Sequence, residues 1–167
     1  MQYLSILLAF AAATSAIDIR AYHDIPRFSH CEGPVLISWL GVAANTCYST
    51  SSSMYAMSFN AIPTTWHLVT RTYRALNCPA NQKLNDFHSD GRASVCHGSP
   101  DGSVQYRGAG YSFVNKKRAE NSNSNDQENI SSNDQDCVGP DLVHLIDGQN
   151  YTVTNVEDKI VQEMVSS

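Results

Sequence analysis

The sequence predicts a mainly β fold, a small disulfide-supported sandwich or barrel with a disordered linker and a short C-terminal strand and helix. Short runs of β-branched and aromatic residues are separated by turn signals at intervals typical of all-β domains. Five cysteines are spread over 167 residues, and none of them forms a Cys-x-x-Cys pair. Such cysteines favour structural disulfides over a metal or redox motif, and they would reinforce a small core.

Residues 1–16 have the pattern of a secretory signal peptide. An apolar run extends from Leu4 to Ala13, and Thr14 and Ala16 supply the small residues that signal peptidase reads. No Lys or Arg precedes the run, which departs from the usual pattern, so a buried helix or an uncleaved anchor is the alternative. The run is shorter than the roughly 20 residues of a membrane span, and polar residues interrupt every later apolar stretch. We therefore expect cleavage after Ala16, an extracellular location and no membrane span.

Residues 17–118 form the predicted β-rich core domain. The turn at 60–65 is expected because Pro63 fixes its own φ and keeps Ile62 out of helical geometry. Further turn signals lie at 90–91, 98–102 and 108–110. The predicted strands are 35–40, 54–59, 66–73, 103–107 and 111–115, and a Ser/Thr cluster at 49–53 is expected to break the chain.

The strand at 66–73 alternates, and we predict that one of its faces binds a partner. His67, Arg71 and Tyr73 share this face, and Arg74 follows it. The alternative is an ordinary outer sheet face. Ten basic and six acidic residues give segment 17–118 a net charge of only plus four, well below that of a dedicated nucleic-acid binder. The expected partner is therefore an extracellular or host protein or a glycan, and nucleic acid is not expected.

Two stretches of the core resemble known proteins. Residues 58–66 read Ser-Phe-Asn-Ala-Ile-Pro-Thr-Thr-Trp, and residues 106–113 read Tyr-Arg-Gly-Ala-Gly-Tyr-Ser-Phe. With the cysteine placement, they resemble fungal small secreted cysteine-containing proteins of unknown or effector-like function. They resemble βγ-crystallin-type domains, which include some killer toxins, more distantly. The resemblance spans about Cys31 to Phe113 and implies a small secreted β-domain. The core lacks the Asn/Asp-rich pair of βγ-type calcium sites, so calcium binding does not carry over.

The core holds four of the cysteines, which can form two disulfides in three ways. Pairing Cys31 with Cys47 and Cys78 with Cys96 is preferred because short loops close easily. Cys137 is then the odd cysteine. It can link two molecules as a disulfide-bonded dimer, stay reduced, or displace one core cysteine and tether the C-terminal segment.

The chain changes character at Lys116, Lys117 and Arg118, a tribasic run that resembles the cleavage sites of Golgi proprotein convertases. The end of a solvated strand is the alternative. Residues 119–136 are almost wholly polar and are predicted to be a disordered linker, which would let a protease bind an extended chain. Residues 119–167 carry ten acidic residues and one basic residue.

Residues 137–167 are predicted to be an acidic C-terminal extension with some structure. A strand is expected near 149–154, and a capping box at 154–157 precedes a helix. Its apolar stripe comprises Val156, Ile160, Val161, Met164 and Val165. We hypothesise that the extension covers the basic core like a prosegment until it is removed. The candidate N-glycosylation sites are Asn129 and Asn150, both after the tribasic run.

No catalytic motif stands out, and the sequence predicts a non-enzyme without cofactor or metal site. The chain has six histidines, but none has metalloprotease spacing. Asp86, His88 and Asp90 alternate and are interpreted as a solvated loop rather than an acid–base group. The favoured function is therefore an effector-like secreted protein that binds without catalysis. A toxin or hydrolase with an unrecognised site, and a cell-wall or matrix structural protein, are the alternatives.

Overall fold

The computed structural model describes residues 16–23, 31–99, 102–114, 137–145 and 147–166. The predicted signal peptide up to residue 15, the tribasic run, the linker and Asn129 lie outside these residues. The strands are β1 (Ile17–Tyr22), β2 (Ile37–Val42), β3 (Tyr48–Met54), β4 (Ala56–Asn60), β5 (Leu68–Tyr73), β6 (Lys83–His88), β7 (Val95–Gly98), β8 (Tyr106–Phe113), β9 (Leu142–His144) and β10 (Asn150–Thr152), and the helix is α1 (Asp158–Ser166).

The strands form two antiparallel sheets, which confirms the predicted mainly β fold. One sheet has six strands in the order β10-β9-β2-β1-β4-β7, and the other has four in the order β3-β8-β5-β6. Large apolar side chains such as Ile19, Trp39, Phe59 and Leu68 are fully buried in the main core. Strand β5 is buried along its whole length, because it lies in the interior of the four-stranded sheet. No helix in the part of the chain that the structure describes is long and apolar enough to cross a membrane.

The Ser/Thr cluster is not a chain break, and this expectation is wrong. Residues 49–53 lie within β3, which pairs with β8, and Thr50 and Ser52 are buried. The register shifts between Ser49 and Met54, as at a β-bulge. Small hydroxyl side chains are compatible with a strand when a neighbouring strand binds the backbone, so tertiary pairing overrides the local signal.

The cysteines form two disulfides, but the preferred pairing is wrong. Cys31 is bonded to Cys96 and Cys47 to Cys78, each with a Cα–Cα distance of 5.9 Å. The first bridge follows from sheet pairing, since β4 places Ser58 opposite Cys96 and Met57 lies beside Cys31. Once strands far apart in the chain have paired, the loops are already closed. The low entropic cost of short loops then no longer decides the connectivity.

The C-terminal extension is built into the sandwich. Strand β9 pairs with β2 and with β10, so residues after 141 widen the six-stranded sheet. Val138 forms a parallel bridge with Tyr48, and its carbonyl accepts a hydrogen bond of 3.2 Å from the indole nitrogen of buried Trp39. Val143, Val153 and Val161 form a small apolar cluster of their own.

Only part of the predicted apolar stripe of α1 is buried. Val161 is 2% exposed and Met164 and Val165 are half-buried, whereas Val156 and Ile160 are 36% and 47% exposed. The helix begins at Asp158, later than the predicted capping box at 154–157 implies, and Glu157 accepts the first helical hydrogen bonds. The helix therefore packs through its last two turns.

Candidate functional site

A shallow pocket of about 420 Å³ lies at one end of the four-stranded sheet. Its walls come from the start of β5, the end of β6 and the residue after β8. The lining residues are His67, Leu68, His88, Asp90 and Val114. The backbone N–H of Val114 donates to the carbonyl of His67 at 2.9 Å, which joins two of these walls.

Ser89 joins the pocket wall at the end of β6 to the other two walls. Its side chain is fully buried, and its Oγ donates to the Trp66 carbonyl at 3.0 Å while accepting from the Leu68 N–H at 3.1 Å. Its own backbone N–H donates to the Leu68 carbonyl at 3.0 Å. A buried hydroxyl that both donates and accepts a hydrogen bond holds its neighbours firmly, so the positions of His88 and Asp90 follow from that of Ser89.

A tight turn orients Asp90. Asp90 and Gly91 have φ of 47° and 76°, and the N–H of Arg92 donates to the Ser89 carbonyl at 2.8 Å. These values describe a type I′ turn, which favours Asp-Gly because both central residues need positive φ. The turn signal at 90–91 is thus confirmed. The Arg92 guanidinium also donates to the carbonyls of His88 and Ser89, at 2.6 and 3.1 Å, and so ties the loop together.

The pocket offers a carboxylate and two imidazoles beside apolar side chains. His67, His88 and Asp90 are exposed, whereas Leu68 is fully buried beneath them. A carboxylate accepts hydrogen bonds, and an imidazole can donate or accept. Because water reaches all three polar groups, the pocket lacks the dry surroundings in which preorganised catalytic groups are most effective. The arrangement is suited to binding a hydroxyl- or amide-rich ligand.

The predicted partner-binding face is only partly available. His67 lines the pocket and Arg74 is exposed, but Arg71 and Tyr73 are 4% and 2% exposed, so the expectation of an exposed stripe is wrong for these two. Their neighbours on β8 are glycines, since Gly110 pairs with Arg71 and Gly108 with Tyr73. Strand neighbours without side chains leave room for Arg71 and Tyr73 to lie close to the sheet.

Gly108 is needed for this close packing. A Cβ atom at Gly108 would lie 3.1 Å from Cys78 Sγ and 3.2 Å from the Ala75 carbonyl oxygen. Burial also raises the pKa of Tyr73 to about 12, so its hydroxyl stays neutral. Tyr73 is therefore a packing residue of the sheet.

Arg71 and Asp86 belong to a polar network instead of the pocket. Arg71 Nη1 donates to Ser112 Oγ at 2.7 Å, and its Nε lies 3.7 Å from the Asp86 carboxylate. Asp86 also accepts from Lys83 at 2.9 Å. The structure therefore separates Asp86 from His88 and Asp90, and it brings His67 to them instead. Alternation along a single strand could not show this, because the grouping depends on which residues of β5 and β6 pair. Val69 pairs with His88, which brings His88 close to His67, two residues before Val69.

Among the described residues, one group of three potential metal ligands has all its ligand atoms within 4.8 Å of one another, namely Cys47, Cys78 and Cys137. Two of these cysteines are joined in a disulfide and offer no thiolate. The pocket residues His67, His88 and Asp90 do not form such a group. The pocket geometry is therefore not that of a compact three-ligand metal centre.

A family model described as ARB_05566_N, N-terminal domain, matches residues 18–141. The chain belongs to this family. The ARB_05566_N match takes in the pocket, both disulfides and Val138, and it runs through the tribasic run and the linker. No curated protein and no solved structure matches the chain.

Proposed function

We propose that this protein is a secreted, effector-like binding domain that recognises an extracellular glycan through the pocket formed by His67, Leu68, His88, Asp90 and Val114. The observation that carries the proposal is the pocket itself, a concave site whose lining combines three polar side chains with apolar Leu68 and Val114. Small-ligand sites typically have this composition. The solvent exposure of its polar groups favours binding over catalysis.

The chemistry of the pocket suits a sugar ring. The Asp90 carboxylate accepts hydrogen bonds from hydroxyl groups, and the imidazoles of His67 and His88 can donate or accept. Leu68 and Val114 offer apolar contact for the C–H face of a ring. A protein partner would be expected to need a larger and more apolar anchor site than this pocket provides.

Two features support secretion. Disulfides form and persist in oxidising compartments, and this chain has two of them with Cα–Cα distances in the normal range. The N-terminal 16 residues have the pattern of a cleaved signal peptide.

Substitutions in the pocket test the glycan proposal. The secreted protein is applied to an array of cell-wall and extracellular-matrix oligosaccharides, and the affinity for the best ligand is then measured by calorimetry. His88→Ala and Asp90→Asn each remove a charge-assisted or polar contact, so we expect the Kd to rise at least about tenfold. Asp90→Asn keeps a residue that tolerates positive φ, so the turn is preserved.

His23→Ala is the matched control, because His23 is exposed and lies outside the pocket. The affinity of this variant should equal that of the parent protein. Loss of affinity in all three variants alike, or no oligosaccharide bound by the parent, would contradict the proposal. Cleavage of the bound oligosaccharide that is abolished by His88→Ala would make the protein a hydrolase instead.

We further propose that the secreted product carries a glycan at Asn150 and is cut after Arg118 without losing its C-terminal segment. Asn150 is exposed on the edge strand β10, and its Oδ1 contacts His144 Nδ1 at 2.7 Å, which leaves its amide nitrogen for a glycan. Strand β9 holds the segment after a cut because it pairs with β2.

Intact-mass spectrometry of the secreted product tests this processing. Under denaturing and reducing conditions we expect two chains, the second lighter after deglycosylation, whereas native size-exclusion chromatography should keep them together. An uncut chain, or a first chain that elutes alone, would show that the processing differs from this proposal.

A further inference from the structure

Three sulfur atoms meet beside the four-stranded sheet. The Sγ atoms of Cys47, Cys78 and Cys137 all lie within 4.8 Å of one another, and Cys47 and Cys78 share a disulfide. Cys137 is in neither disulfide. Cys47 and Cys78 are 3% and 1% exposed, while Cys137 is half-buried against them and Tyr73. A cysteine thiol in contact with a disulfide is the arrangement from which thiol–disulfide exchange proceeds.

The backbone register places Cys137 directly beside Cys47. Val138 pairs with Tyr48 in a parallel bridge, with Val138 N–H donating to the Cys47 carbonyl at 2.9 Å and Ser49 N–H donating to the Val138 carbonyl at 3.1 Å. The residues that precede a parallel bridge are lateral neighbours on the two chains. The distance between lateral neighbours in a sheet, about 4.8 Å, falls within the Cα separations that a disulfide spans.

We propose that this trio is a disulfide-exchange site, in which the bridge moves from Cys47–Cys78 to Cys47–Cys137. The thiol of Cys137 gives up its proton to solvent, and the thiolate attacks Sγ of Cys47. A Cys137–Cys47 bond forms as the Cys47–Cys78 bond breaks, and Cys78 leaves as a thiolate that takes up one proton. One disulfide and one thiol are present before and after the exchange, so the step needs neither an oxidant nor a reductant.

The surroundings of Cys78 favour its release. Cys78 has a φ of 47°, in the left-handed region that side chains with a Cβ disfavour. Its Sγ lies 3.8 Å from the Ala109 carbonyl oxygen, so the released thiol has an acceptor in place. In the uncut chain, the new bridge also closes a much longer loop than the 31-residue separation of the old one, which restricts the unfolded chain more strongly.

The exchange changes what the disulfide holds together. The Cys47–Cys78 bridge links β3 to the segment after β5, all within the N-terminal part of the chain. The Cys47–Cys137 bridge links β3 to the segment that begins at residue 137. It therefore attaches the C-terminal strands covalently across the tribasic run, whether or not that run is cut. The inference concerns this link and does not depend on glycan binding.

The test combines two variants with peptide mapping of the full chain. The parent protein is held at pH 8, quenched in acid, unfolded and alkylated, and the labelled cysteine is identified by mass spectrometry. We expect the label to be divided between Cys137 and Cys78, with a Cys47–Cys137 cross-linked peptide present. The rate of approach to this distribution should fall roughly tenfold per pH unit below the thiol pKa, because the thiolate is the nucleophile.

The Cys78→Ser variant makes the prediction sharper. It should contain no alkylatable thiol, a Cys47–Cys137 bridge and an intact Cys31–Cys96 bridge. Cys137→Ser is the matched control and should retain Cys47–Cys78. Label on Cys137 alone in the parent protein at every pH would overturn the proposal, as would a Cys137-linked dimer in Cys78→Ser. The parent measurement decides the matter even where Cys78→Ser does not fold.

Discussion

A chain that ends at residue 136 is expected to unfold at a Tm at least about 10 °C below that of the full chain, or to show no cooperative transition. The truncation removes β9, β10 and α1. Differential scanning calorimetry of the two chains, each with its disulfides formed, measures the difference.

The physical reason is that the core depends on the C-terminal segment. Without it, the buried Trp39 indole N–H loses its acceptor at Val138, and an unpaired buried donor costs about 1–3 kcal/mol. Val143, Val153 and Val161 are each at most 3% exposed, and burying a valine side chain stabilises by about 1.5–3 kcal/mol. Together these losses are comparable with the roughly 5–15 kcal/mol that stabilises a typical domain.

A chain cut after Arg118 but retaining both pieces is the control for the truncation. Its Tm should stay within a few degrees of that of the uncut chain, because β9 still pairs with β2. An unchanged Tm for the chain ending at residue 136 would show that the C-terminal segment is dispensable, as the prosegment hypothesis expects.

Acid is expected to destabilise the protein through His97, by about 3 kcal/mol between pH 6.5 and pH 4. His97 is fully buried between the two sheets, with Phe59 and Phe87 at centroid distances of 5.7 and 4.6 Å. Burial lowers its pKa from 6.5 to about 4, and the charge of Asp86 opposes this shift only in part.

The hydrogen bonds of His97 define a neutral imidazole. Thr70 Oγ1 donates to the Phe87 carbonyl, so it accepts from Nε2 of His97 at 2.9 Å. Nδ1 is then the acceptor, and the Thr72 hydroxyl donates a hydrogen bond of 3.2 Å to it. The neutral ring is thus paired at both nitrogens, and protonation would add a charge in a desolvated site.

The direction of the pH effect follows from proton counting. Between pH 6.5 and pH 4 the unfolded chain binds a proton at His97 and the folded chain does not, so acid favours unfolding. The stability that neutral His97 contributes is complete above pH 6.5. It decreases as the pH falls below 6.5 and is lost once the pH has fallen through about 4. Urea unfolding at a series of pH values from 7.5 to 4 measures this slope.

His97→Gln isolates the contribution of His97 from that of the carboxylates. The amide keeps a donor and an acceptor but does not titrate, so the slope of unfolding free energy against pH should be shallower by up to about 1.4 kcal/mol per pH unit. His23→Gln should keep the parent slope, since His23 is exposed. Equal slopes for His97→Gln and the parent protein would refute the assignment.

The fold class and several local elements could be predicted from the sequence because their causes are local. Pro63 and the Asp90-Gly91 pair predicted turns that the structure contains, since backbone geometry at these residues is fixed by the residues themselves. The use of the four core cysteines in disulfides followed from their number and spacing.

The candidate site could not be predicted in the same way, because it depends on register between strands. His67 and His88 are 21 positions apart in the printed sequence and share a pocket only because β6 pairs with β5. Alternation assigned Arg71 and Tyr73 to an exposed face, but the glycines of β8 allow both to be buried.

The sequence by itself determined a small, cysteine-containing β-domain and its turns at Pro63 and Asp90-Gly91, because hydrophobic period, turn chemistry and composition act over a few residues. The turn predicted at 108–110 is wrong, because these residues lie within β8 and pair with β5. Only the tertiary structure decided the disulfide connectivity, the place of the C-terminal strands in the six-stranded sheet and the meeting of Cys137 with Cys47 and Cys78. These features bring together residues far apart in the chain, and their partners are chosen by the packing of two complete sheets.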